Sequence, residues 1–104
     1  MKGRIYIDDS EIGNVDFKII DESMGAIGGD FVEAEDYGKF KHEIQNLTEK
    51  NGNANSQNFN FRIVVKNVEF NPVGGICLID SKEFAEMYLD AAGINQSELE
   101  KIKV

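Results

Sequence analysis

The residues able to do chemistry are few: one cysteine, Cys77, one histidine, His42, nineteen acidic residues, and three glycines within "SMGAIGGD" at 23–30. A cysteine beside a histidine can form a nucleophilic pair, because the imidazole takes up the thiol proton. Cys77 lies in "GGICLI" between Ile76 and Leu78, a setting in which thiols are ordinarily buried and inert. His42 falls on the polar side of a helical stripe, away from the face that meets a core. One cysteine and one histidine cannot build a Cys/His zinc site, and a single cysteine rules out an intrachain disulfide.

The glycines raise the question of a phosphate. A phosphate-cradling loop needs a lysine and a Ser or Thr after its last glycine, whereas here Asp30 follows, with Asp21, Glu22 and Glu33 nearby. A dinucleotide loop needs a helix opening directly from the glycines, and the alternating pattern predicts a strand instead. Gly28-Gly29, like Gly74-Gly75, reads as a bend of a curved sheet. "DDSEIG" from Asp8 places Ile12 and Ile19 where a calcium loop needs oxygen ligands. The expectation is no catalytic residue, no cofactor and no metal.

What stands out is charge. The net charge is −8, and residues 1–36 carry ten acids against three bases, while residues 37–104 carry nine against eight. Such a field repels nucleic acid and steers a basic partner inward. The first third contributes Asp21, Glu22, Asp30, Glu33, Glu35 and Asp36. Glu83, Glu86 and Asp90 fall on one arc of a helix predicted over 81–92, opposite Phe84 and Tyr88. These nine carboxylates are the candidate partner-binding residues.

The elements that must position them follow from periodicity. "GRIYID" and "NVDFKII" alternate as strands joined through "SEIGN" as a hairpin, and "AIGGDFVEA" predicts a third strand. Tyr37, Phe40, Ile44 and Leu47 make one stripe of a helix over about 35–50. "NGNANSQN" at 51–58 is a flexible polar loop by composition. "NFNFRIVVKNVEF" and "VGGICLI" predict two further strands. Asp80 and Glu83 have capping-box spacing for the 81–92 helix, whose Phe84, Met87, Tyr88 and Ala91 should face inward. A last helix is predicted from Asn95, with Glu98 three residues on and Leu99 and Ile102 docking it.

The order β-β-β-α-β-β-α-α predicts one α+β domain over 1–104, with a mainly antiparallel curved sheet of about five strands and helices on one face. The first residues lack the apolar core of a signal peptide, and no run is long enough to span a membrane, so a cytoplasmic location is expected.

These features fit an acidic, non-catalytic binding protein of immunity or inhibitor type, masking a basic partner such as a toxin domain, with no nucleic acid and no membrane. Immunity proteins that neutralise nuclease-type toxins share this profile of size and charge, an analogy and not a motif match. The alternatives are a small-molecule sensor and an accessory subunit of a larger assembly. A homodimer through an uncovered edge strand at 3–8 is also expected.

Overall fold

In the computed structural model, which describes residues 1–103, the chain forms nine strands and two helices around one core. β1 (Lys2–Ile7) and β2 (Ser10–Asp16) form a hairpin that turns at Asp8-Asp9, with Asp8 left-handed at φ 53°. Aspartate tolerates that conformation, and here Arg62 Nη1 donates to the Asp8 carbonyl at 2.7 Å. The "SEIGN" segment predicted as the turn is therefore strand, and it carries a bulge opposite Ile5 and Tyr6.

The predicted strand "NVDFKII" is broken at Phe17, which is buried, so β3 (Lys18–Asp21) is a separate strand. β4 (Ala26–Glu33) keeps its register from β2 to β3 across the break at Phe17, and a shift comes only further along, between Ile19 and Asp21. Ile27 and Phe31 point to the core, as their alternation predicts.

The predicted helix at 35–50 is divided into a 3₁₀ turn over Glu35–Lys39 and α1 (Lys41–Asn51), which ends at left-handed Gly52. Tyr37 and Ile44 are fully buried, and Phe40 and Leu47 are packed against the core. Within the polar stretch 51–58, β5 (Ala54–Asn55) forms and buries Ala54. The long strand predicted over 58–70 is a hairpin of β6 (Phe61–Val65) and β7 (Val68–Glu69), because Lys66 and Asn67 both turn left-handed. β8 (Ile76–Ser81) starts after Gly74-Gly75, which lie in the preceding turn and not in the strand.

The largest departure is at 81–92. Residues 82–85 make a turn, and β9 (Glu86–Ala91) is a strand. Phe84, predicted inward, is 72% exposed. The segment fits two periods: Phe84, Met87, Tyr88 and Ala91 have helical spacing, while Met87, Leu89 and Ala91 alternate with Glu86, Tyr88 and Asp90. The free edge of β4 decides between them, because β9 pairs along it from Ile27 to Asp30.

The final helix, α2 (Gln96–Lys103), is the one predicted, with Leu99 and Ile102 buried. Its cap is reciprocal. The Asn95 Oδ1 accepts from the Glu98 amide at 2.8 Å, and Glu98 Oε1 accepts from the Asn95 amide at 3.2 Å. The other Glu98 oxygen accepts from the Asn71 amide at 2.9 Å, so the cap also ties α2 to the segment after β7. Replacing Asn95 with Ala should cost about 1 kcal/mol in a urea titration, and an unchanged midpoint would show that the cap carries no stability.

The strands run β5-β8-β9-β4-β2-β1-β6-β7, all antiparallel, with β3 beside β4. The sheet thus has nine strands and not five, and it curls around its apolar face. Arg4–Ile7 of β1 are paired on both sides, so the strand expected at 3–8 is not the open edge a second copy would need. The outermost strands, β5 and β7, are two residues each. Among the described residues, no helix is long and apolar enough to cross a membrane.

Candidate functional site

β5 covers β8 only at Cys77 and Leu78, so on the side away from β9 the far half of β8 has no strand beside it. α1 takes that place. The Thr48 hydroxyl accepts from the Asp80 amide at 3.2 Å and donates to the Ile44 carbonyl at 2.9 Å, which satisfies an edge amide and blocks further strand pairing. The Asp80 carboxylate, only 4% exposed, turns inward and not to a helix cap. It accepts from the Tyr37 hydroxyl at 2.7 Å and from Gln45 Nε2 at 3.3 Å. Burial, reinforced by the Asp80 hydrogen bond, holds the Tyr37 hydroxyl well above the usual phenol range, so it stays a donor. Tyr37, Gln45 and Thr48 together fasten the 3₁₀ turn and α1 to β8.

Between α1 and the β8–β9 turn lies an open groove of about 580 Å³. Glu49 of α1, Glu83 of the turn and Glu86 of β9 face it, together with Gln45, Ser81, Lys82 and the exposed Phe84 ring. None of the three glutamates takes part in an ion pair among the described residues. The arrangement can accept hydrogen bonds from cationic groups and offers one aromatic face beside them.

The structure distributes the nine predicted carboxylates over several places. Glu83 and Glu86 line the groove although they are not on a helix. The strand register sets the β8–β9 turn at the same end of the sheet as the C-terminal end of β4, where Glu33, Glu35 and Asp36 lie. There Glu33 pairs with Lys41 at 3.1 Å and Asp36 with Lys39 at 3.7 Å. Asp30 and Asp90 lie on the outer face of β4 and β9 around Tyr88, and burial pushes the Asp90 carboxyl upward.

Asp21 and Glu22 sit at the opposite end. Asp21 holds its own turn by accepting from the Ser23 amide and hydroxyl and from the Met24 amide, which lowers its pKa, and Glu22 pairs with Lys103 at 3.1 Å. These nine residues therefore do not form one stripe. Glu49, Gln45 and Thr48 of the groove escaped the sequence reading, because only the packing of α1 on β8 brings them there.

His42 is exposed and contacts Asn46 at 3.3 Å, one turn along α1. Cys77 stands opposite Asn55 and Asp90, and burial raises its thiol pKa, which opposes a reactive thiolate. Among the described residues, no group of three His, Cys, Asp or Glu side chains is placed to hold a metal ion. Fold and groove together describe a curled-sheet α+β domain. No family model matches the sequence, no curated protein matches it, and no solved structure matches it.

Proposed function

We propose that the chain is an acidic, non-catalytic binding protein that masks a basic partner, in the manner of an immunity or inhibitor protein facing a toxin. The observation that supports this is the convergence of Glu49, Glu83 and Glu86, free of intrachain ion pairs among the described residues, beside an aromatic ring left in solvent. Glu35 adds negative charge at the same end, where Glu33 and Asp36 are offset by Lys41 and Lys39. A lysine or arginine entering the groove gains charge-assisted hydrogen bonds, and Phe84 supplies apolar area. The net charge of −8 steers such a partner inward.

The test is a pull-down from native lysate at low and at high salt, with the retained proteins identified by mass spectrometry. One basic protein should be held at low salt and weakened at high salt. The Glu83→Lys/Glu86→Lys variant should bind it at least about a hundredfold more weakly, as expected for reversing two interface charges. No specific protein at either salt counts against the proposal. The groove volume also lies within the range of small-ligand sites, so a compound that raises the melting temperature in a thermal-shift screen would favour the sensor reading.

A further inference from the structure

The outer face of β1–β4 and β9 carries a second hollow of about 550 Å³, lined by strand residues only. No helix contributes to it. Its apolar members are exposed: Ile20 is 55% and Val32 57% accessible, while Tyr88 is half-buried. Gly28 makes this face low. A Cβ at Gly28 would stand 2.6 Å from the Tyr88 hydroxyl and 2.8 Å from Ile20 Cδ1, so both side chains lie across the strand because it has none.

The pairing register adds a symmetry of charge. Lys18 of β3 is directly opposite Gly28, and Gly28 is directly opposite Asp90 of β9. A cation and an anion thus flank the glycine on either side, one strand spacing of about 4.8 Å away each. Neither takes part in an ion pair among the described residues.

We propose that this outer face docks a second copy of the chain, sheet on sheet, about a two-fold axis running along β4. That axis exchanges the two sides of Gly28, so each Lys18 meets the partner's Asp90, and Val32 and the Tyr88–Ile20 plate close on their counterparts. An isologous contact requires this kind of self-complementarity, and facing sheets lie about 10 Å apart, within reach of a lysine and an aspartate. One residue opposes it: Asp30, on β4 itself, falls near the axis and meets its own copy. The contact uses a different face from the groove beside α1, so it stands or falls independently of the partner reading.

Sedimentation equilibrium of the full chain, from about 1 μM to about 1 mM at near-physiological salt, tests the proposal. A reversible dimer is expected. Lys18→Glu and Asp90→Lys should each weaken it about tenfold or more, and the double variant should return to within about threefold of the parent. Asp30→Asn should tighten it more than Glu43→Gln on α1, which removes the same charge away from this face, a difference that general relief of the −8 charge does not explain. Melting curves of each variant confirm that the fold is retained. A monomer at every concentration, a dimer indifferent to these substitutions, or a double variant no tighter than the single ones overturns the proposal.

Discussion

Gly25→Ala is expected to lower stability by about 3 kcal/mol, a fall in melting temperature of about 12 °C or more. Gly25 holds φ at +62° in the turn between β3 and β4, a region that costs an L-residue about 1–2 kcal/mol. The turn is also pressed against the chain leading into α2. The Gly93 amide donates to the Met24 carbonyl at 3.1 Å, and the Ile94 amide donates to the Gly25 carbonyl at 3.0 Å. A methyl group on Gly25 would reach 2.7 Å from the Ile94 nitrogen and come closer still to the Ile94 oxygen. Relieving that clash pulls the two segments apart, and each backbone bond lost costs about 1 kcal/mol.

Gly52→Ala separates conformation from collision. Gly52 has φ +89° and nothing within 4 Å of an added Cβ, so only the conformational cost, about 1 kcal/mol, should appear. Equal losses in the two variants would mean that the contact with Ile94 is unimportant.

Tyr37→Phe should cost about 2–3 kcal/mol, although it deletes one atom from a fully buried ring. The ring packing survives, including the edge contact with Phe31 at a centroid distance of 5.1 Å. What disappears is the 2.7 Å hydrogen bond to Asp80, leaving that carboxylate with Gln45 Nε2 at 3.3 Å as its side-chain donor. A buried carboxylate short of donors is costly, and no basic side chain forms an ion pair with it among the described residues. Urea titrations of Tyr37→Phe, Asp80→Asn and the double variant should give a coupling of at least about 1 kcal/mol. A loss below about 0.5 kcal/mol for Tyr37→Phe would mean that the link from the 3₁₀ turn to β8 carries little. Because Gln45 and Thr48 line the groove and bond the same aspartate, the groove wall should loosen with it.

The parts of this fold legible in the sequence are those whose signals are local. Ile5 and Ile7 alternate with Arg4 and Tyr6, and the structure buries that pair. The Asn95–Glu98 box marks the start of α2 because its two hydrogen bonds close within four residues. The same spacing at Asp80 and Glu83 misleads, since Asp80 is claimed by Tyr37 and Gln45 from 43 and 35 residues away. Periodicity cannot separate helix from strand at 82–91 when both are satisfied, and the edge of β4 that settles it lies about sixty residues earlier. "VVKNVE" contains a readable turn, with Asn67 able to go left-handed between valines, although its composition also reads as continuous strand.

The candidate site was legible only as composition. Glu83 and Glu86 stand out by charge, but on a turn and a strand where periodicity predicts a helix, and Glu49 carries no signal, because its relation to them exists only after α1 packs on β8.

The order in which the strands lie has a kinetic consequence. Two seams, Arg4 against Val64 and Ile27 against Ala91, join residues about sixty positions apart, while the neighbouring hairpins close over a few. Closing such a span costs about 2 kcal/mol more entropy than closing a tight hairpin, and it is spent before either seam returns any contact. Folding on the millisecond-to-second scale follows from that topology. During that interval the unfilled flanks of β1 and β4 expose unpaired amides and carbonyls beside apolar side chains, whereas the finished sheet ends in strands of two residues. Mispairing is therefore a hazard of the nascent chain much more than of the native protein.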